Sequence, residues 1–594
     1  MGYSANPRKI YGKVEIIYFD NDMASIDDVV VSSEALISHP SEVHGASIQP
    51  SIKACVLGDA TLDETYQMMD DESIIGWWGG VFSDVDGCFI NPETLELFFM
   101  ERPIKTWLVI GDAKLNEYPV DFSVTYKRGT EIIKIDNYFD NNEVNLKLNP
   151  QLADITSIKL EITKWSKQNA CVKIMKFFDI LAEVYYEKDL KSFEVSEEVA
   201  SQEGEYNINS DTMNVIIYNR DEKFSEGYLK KLLILDRKVK PFIGIEANGE
   251  IVYSSLGTFY SDEWSLDTDG LWLKCIAVDK LLRLQNKIYI GYPLTIDASM
   301  YDLAKDILLK ANFSEDEFVI SEELKSIIIP FAFLERQSVW DALQEVAVAS
   351  LSNVFIDRDD RINIKLDKGL INNSNQEVNS SNMFSYLSNI SLTKFANKIL
   401  VEYAEVELTD YFTNAIETEV QVLANSSMEV LLNYNLAIYD AFLEIIDNRV
   451  LASDTVYGIN ACKTTLTNTT SEDITLLVKV SGYIIDITYN KITTEEIESI
   501  KEYGDFEYSH PTSDLVQSSE YAQSIGAHLL NRMKQGEGSL SCIWRGDPAL
   551  RLKDEFSLKA KKGALTKLVC EYNKFTYDGS LKQETRGRKI TGGA

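Results

Sequence analysis

Residues 155–177 read ITSIKLEITKWSKQNACVKIMKF. Ile158, Leu160 and Ile162 alternate with Lys159, Glu161 and Thr163, the period-two pattern of a half-buried strand. A polar turn follows Trp165, and apolar residues then resume, so the stretch reads as two strands of a sandwich joined by a loop. A catalytic domain would place a nucleophile or a metal cluster nearby, and this loop offers only Trp165, Ser166, Lys167, Gln168 and Asn169.

The same cadence extends outward from Ile10 to about Leu181. KVEIIYF, LELFFM, TWLVIG, DFSVTY, EIIKID and VNLKL are short alternating segments, parted by turns such as Gly111-Asp112 and Asp140-Asn141-Asn142. This predicts one antiparallel sandwich over residues 1–182. The acidic stretch that follows predicts an exit linker, residues 183–205. A second β unit, 206–290, contains MNVIIYN, LLILDRKV, PFIGIE, EIVYSSLGTFY and LWLKCIAVD.

Between residues 291 and 382 the period changes. Ser299 and Asp302 frame a capping-box-like start before Met300, Leu303, Ala304, Ile307, Leu308 and Ala311. Ser338 and Asp341 repeat it before Val339, Ala342, Leu343, Val346 and Ala347, leading to a strand pair that turns at Asp359-Asp360. INNSNQEVNSSN is Asn- and Ser-rich and predicts a loop or linker. Residues 383–510 read as a second β-rich domain. Residues 511–594 hold a helix around Tyr521 to Met533 and a closing β segment.

At 594 residues the chain has room for three to five domains, taking roughly 100–200 residues for each. A formal charge of −35 repels phosphate backbones and anionic membranes. The one basic cluster found, Lys582, Arg586, Arg588 and Lys589, reads as a solvated tail, so no nucleic-acid partner is expected. No apolar run reaches the roughly 20 residues of a spanning helix, and the N-terminus lacks a signal-peptide core, so no membrane insertion is expected. Seven Cys stand singly without CxxC spacing, which suggests reduced thiols and synthesis in a cytoplasm. Release without a signal peptide then implies lysis.

Chemistry has few footholds. His39 and His44 lie five apart in a loop containing Pro40, and His528 sits in a helical pattern beside Leu529 and Leu530. With His510 these are all the histidines, and no metal site is assigned. Asp84 and Asp86 precede Gly87 in SDVDGCF, and DTDGLW has a similar form. Both read as hairpin turns rather than calcium loops. No phosphate-cradling glycine motif follows a strand, no cofactor is expected, and no residue is assigned a catalytic role. Acidic pairs leave no local signature, so a glycosidase cleft stays open. Trp77 and Trp78 in IIGWWGGVF, together with Trp165, are the candidate glycan-binding residues, since aromatic faces pack against sugar C–H surfaces. Core packing is the competing and preferred reading for the Gly-flanked pair.

GWWGGVFSDVDGCF, RPIKTWLVIGDAKLNEYPVDFSVTY and ITKWSKQNACVKIMKF resemble the discoidin-like (galactose-binding-like) jelly rolls in tail proteins of phages and prophages of Gram-positive bacteria. From about Asp189 the chain resembles hub or tail-associated proteins of long-tailed phages and phage-derived bacteriocins. The phrases are YSSLGTFYSDEW, CIAVDKLLRLQNKIYI, ERQSVWDALQEVAVASLSNVFIDRDDRINI, FANKILVEY, IWRGDPALRLKDEF and NKFTYDGSLKQETRGRK, in the family's order. Where that pattern usually carries Gly, Ser350 and Asp360 stand. The resemblance implies a mainly β fold with α+β parts: an N-terminal jelly-roll sandwich, then tail-hub-like β-barrel domains with interspersed helices. It implies a non-enzymatic baseplate component in a virion or phage-tail-like particle. Its partners would be the tail tube or hub, other baseplate proteins and a cell-surface glycan of a Gram-positive host, with the chain itself a homo-oligomer of three or six copies. A tail-associated cell-wall hydrolase and a free carbohydrate-binding protein are the alternatives.

Overall fold

Among the described residues of the computed structural model, strands occupy 59% and helices 12%, so the fold is mainly β. The structure describes residues 9–18, 26–35, 38–44, 54–55, 67–68, 76–179, 181–199, 206, 208–225, 233, 235–247, 249–367, 372–388, 395–534, 540–559 and 565–590. The expected strand LLILDRKV lies partly outside them, as do residues 200–205 of the expected linker. The chain divides into two units, residues 15–184 with 221–238, and residues 1–14 with 185–220 and 239–594.

In the smaller unit the alternation at Ile158, Leu160 and Ile162 builds the strand Leu152–Trp165, the centre of a five-stranded antiparallel sheet. The order is Ile26–Val31, Cys88–Ile104, Leu152–Trp165, Pro119–Arg128 and Glu131–Tyr138. The three apolar side chains enter the core with Leu95, Leu97 and Val124, while Lys159 and Glu161 pair at 3.0 Å on the outer face. After the polar loop, Cys171–Ile174 pairs with Trp77–Phe82, and Lys176–Asp179 joins Trp107–Ile110 and Asn145–Leu148. Trp77, Trp107, Val172, Ile174 and Phe177 from these small sheets share one core with the large one. The unit is therefore layered sheet on sheet.

The larger unit is built on a sheet in the order Lys238–Ala247, Phe259–Leu266, Trp272–Val278, Thr212–Tyr218, Leu190–Glu198, Leu565–Tyr577, Leu581–Lys589, Leu540–Trp544 and Met383–Ser388. Leu190–Glu198 lies in the stretch read as a linker. It is instead an interior strand, bonded on one side to Thr212–Tyr218 and on the other to Leu565–Tyr577. Its acidic composition masks the alternation of Phe193, Val195 and Glu197, which are buried along with Leu190 beyond a register shift. The loop reading of INNSNQEVNSSN is corrected as well: Asn372–Asn379 is a strand, parallel to Asp554–Lys559. Residues 206–290 and 540–589 contribute strands to one sheet, so the boundaries drawn at 290 and 510 do not separate independent sheets.

Four α-helices occur among the described residues: α1 Met300–Lys310, α2 Val339–Ser350, α3 Ile497–Tyr503 and α4 Ser519–Met533. The hydroxyls of Ser299, Ser338 and Ser518 accept from the third backbone N–H of α1, α2 and α4, satisfying donors that a helix start leaves open. The apolar stripes of these three helices meet in one core, with Leu303, Ile307, Leu343, Val346, Ile525 and Leu529 among its members. Ser338→Ala should cost about 1 kcal/mol, read as a lower urea midpoint at unchanged slope. After α2 the chain turns through left-handed Leu351, φ 53°, and the next hairpin turns through Asp360, φ 62°. Asp360 thus adopts the conformation that Gly would reach without strain.

Lys398–Val422 and Ile474–Glu495 form a long antiparallel ribbon. Its near half lies against α4, where a Cβ on Gly526 would come within 2.5 Å of Thr494 Oγ1. Its far half takes on Ile438–Ile445 as a third strand and packs over a second sheet of Ser426–Asn433, Ala461–Asn468 and Val450–Tyr457. Val430, Leu432, Cys462, Leu466, Val478 and Val480 fill the space between.

Candidate functional site

The candidate tryptophans sit inside the smaller unit. Trp77 and Trp78 are 0% exposed and Trp165 is 1% exposed. Trp77 and Trp78 occupy the strand paired with Cys171–Ile174, not a loop tip. The flanking glycines serve backbone approach: a Cβ at Gly76 would stand 2.6 Å from Ile174 O, and one at Gly80 2.8 Å from Glu34 O. Trp77 Nε1 donates to Ser33 O at 2.8 Å. With no exposed ring face, none of the three offers a sugar a stacking surface, and the glycan-binding assignment is corrected accordingly.

Two of them nevertheless belong to one cluster. Lys173 and Glu117, both buried, form an ion pair at 3.2 Å, and Lys173 Nζ lies 4.9 Å from the centre of the Trp78 ring. Trp165 Nε1 donates to the same carboxylate oxygen, Glu117 Oε2, at 3.1 Å. Lys167, from the polar loop, reaches Glu117 at 3.2 Å. Burial pushes the neighbouring Asp112 carboxyl above its usual range, although its Oδ1 accepts from the backbone of Lys114 and Leu115. The cluster ties the loop carrying Glu117 to the strands carrying Trp78, Trp165 and Lys173.

The larger unit holds a second polar assembly that no local sequence pattern announced. Arg358, in the hairpin after α2, donates to both oxygens of Glu197 at 3.0 and 2.6 Å. It also donates to the carbonyls of Pro548 and Leu550. Asn573 Nδ2 donates to Glu197 Oε1 at 2.9 Å, and Asn573 Oδ1 accepts from Gln583 and Thr585. Beside it, Asp367 draws Arg532, Arg588 and Lys553 to 2.9, 3.3 and 3.5 Å. Burial would raise the Asp367 carboxyl, but these cations, led by Arg532, hold it well below the usual carboxylate range. Arg586 pairs with Glu198 and Arg588 with Glu571, so these members of the basic cluster lie on a paired strand and not on a solvated tail.

Asp211 and Asp279 close the end of the same sheet. Asp279 accepts from Ser210 Oγ, Leu281 N and Asp211 N, and Asp211 Oδ1 accepts from Glu198 N. They line a cavity of about 10 Å³ with Glu197, Asp357 and Arg358, room for about one water. Burial and mutual repulsion push Asp211 far up, and burial brings Asp279 to about 6. The folded form binds these protons more tightly than the unfolded chain, whose carboxyls titrate near ~3.9. The stability that the Asp279 proton contributes is complete below that pH and is lost as pH rises through about 6, while Asp211, pushed further up, keeps its proton beyond that point. Asp211→Asn keeps an acceptor for Glu198 N and removes the repulsion. Its melting temperature relative to wild type should climb between about pH 5 and 8; a constant difference would refute the pairing.

The histidines are scattered. Burial lowers His510 to about 4, and its Nε2 lies 3.2 Å from Val348 O. His528 lies 3.5 Å from Asp367, and His39 precedes the 3₁₀ turn Pro40–Val43 that ends at His44. Asp84 Oδ1 accepts from the backbone of Asp86 and Cys88, a local turn. Among the described residues no group of three His, Cys, Asp or Glu is placed to hold a metal ion.

No family model and no curated relative matches the sequence. Among solved structures, the chain is similar to the 43 kDa tail protein of prophage MuSo2 from Shewanella oneidensis, at 11% identity and TM-score 0.39 over 68% of this chain and 95% of that one. It is similar to a tail protein from Neisseria meningitidis MC58, at 10% identity and TM-score 0.40 over 69% and 94%. The prophage tail protein gp18 from Listeria monocytogenes EGD-e gives 9% and 0.36 over 69% and 92%.

Proposed function

We propose that this chain is a non-enzymatic structural component of the distal tail or baseplate of a phage or phage-tail-like particle. One observation carries the reading: the phrases from Tyr253 to Lys589 that resemble tail hub or tail-associated proteins, in that family's order, all fall within the larger unit. That unit docks on tail proteins. The smaller unit, read as a discoidin-like jelly roll, contacts a neighbouring protein, since its tryptophans are spent on its own core.

Mass spectrometry of purified particles tests this. The chain should co-purify with tube and baseplate proteins, in three or six copies per particle. Its consistent absence from intact tails would overturn the proposal. Incubation with purified peptidoglycan should release no products, and turnover abolished by a single Asp or Glu substitution would favour the hydrolase alternative instead.

A further inference from the structure

The far half of the ribbon has one face turned to solvent. Val480 and Leu443 point into the local core, so their strand neighbours Ser481 and Phe442 lie on the opposite side, with Asn414 paired to Ser481 beyond a register shift; Ser481 itself is covered at 8% exposed. Ser481 Oγ donates to Asn414 Oδ1 across the strands at 2.7 Å, which fixes that side. On the same face Phe412 stands opposite Tyr483, their rings 5.2 Å apart, and Tyr439 packs on Tyr483 at 5.4 Å. Phe412 is 53% and Phe442 61% exposed. The rings continue into an acidic strip of Glu417, Glu419 and Glu444, where Lys479 is engaged by Glu417 at 3.2 Å.

The surroundings share this sign. Residues 405–491 carry thirteen Asp and Glu against four Lys and Arg. Each of the four bases is held in an ion pair, Arg449 with Asp447, Lys463 with Glu429, Lys479 with Glu417 and Lys491 with Glu402. Exposed aromatic groups beside unneutralised carboxylates exclude anionic occupants. Nucleic acid, an anionic bilayer and a second copy of this acidic chain would all meet like charge.

We propose that this face docks a cationic protein surface whose Arg side chains stack on Phe412 and Phe442 while pairing with Glu419 and Glu444. Guanidinium is the group that satisfies both halves, planar against a ring and forked toward a carboxylate. The inference deepens the docking assigned to the larger unit and rests on that reading only for where the partner resides.

A synthetic peptide of alternating Arg and Trp, titrated into the full chain by calorimetry, is the probe, with a Glu–Trp peptide as control. Wild type should bind the cationic peptide and not the acidic one. Phe412→Ser combined with Phe442→Ser should weaken binding by about tenfold or more with unchanged melting. Glu419→Gln with Glu444→Gln should weaken it at low salt and by less at high salt. Equal affinity of wild type and the Phe variant would overturn the proposal, as would absence of binding to wild type. Self-association of wild type that the Phe variant loses would also overturn it, since a second copy would then cover the face. Particle mass spectrometry reads location alone, so the two proposals fail separately.

Discussion

Arg358→Met should destabilise the larger unit by about 3–5 kcal/mol, the range for stripping one partner from a buried ion pair. Arg358 is 8% exposed, and its guanidinium serves four acceptors: both oxygens of Glu197 and the carbonyls of Pro548 and Leu550. Met fills similar space and donates nothing, so the carboxylate loses its cation, and it and both carbonyls lose the guanidinium N–H groups inside the protein. Asn573 remains on Glu197, and one amide cannot replace a bidentate guanidinium. Adding Glu197→Gln to the variant should recover part of the loss, because the stranded charge is gone. Urea unfolding of the four members of this cycle decides it. A loss below about 1 kcal/mol for Arg358→Met would mean that solvent reaches the pair.

Trp77→Ala should cost the smaller unit about 3–5 kcal/mol. The indole has no exposed surface, packs in the core shared by both layers, and loses with its ring the donor to Ser33 O. Trp77→Phe should cost less, since it keeps most of the packing and forfeits the hydrogen bond. Calorimetric scans of the full chain measure both. Melting unchanged from wild type for Trp77→Ala would place the ring at the surface, and the sugar-stacking role would return.

Period and caps carried their information locally, and there the reading was sound. Ser299 and Ser338 cap α1 and α2 as their spacing requires, and the alternation at Ile158, Leu160 and Ile162 lies in a half-buried strand. What failed was anything decided by a distant partner. Glu197 reads as linker acidity until Arg358 and Asn573 are brought to it, and neither is near in sequence. Asn372–Asn379 has poor strand propensity and is a strand because Asp554–Lys559 lies beside it. The tryptophans were ambiguous for a related reason: glycine flanks suit a loop tip and a tight strand crossing equally, and only the carbonyls of Ile174 and Glu34 choose between them.

The pairing of Phe193 with Tyr577 makes an early strand wait for almost the last one. During synthesis, at about 5–20 residues per second, Leu190–Glu198 emerges long before Leu565–Tyr577 exists to cover its open side. For that interval the nascent chain presents a bare strand edge beside unburied Phe193 and Val195, a template for pairing between neighbouring chains on one polysome. The acidic side chains around it, Glu194, Glu197 and Glu198, place charge beside that edge, the kind of residue that disfavours pairing between chains until the hairpin of Leu565–Tyr577 and Leu581–Lys589 arrives.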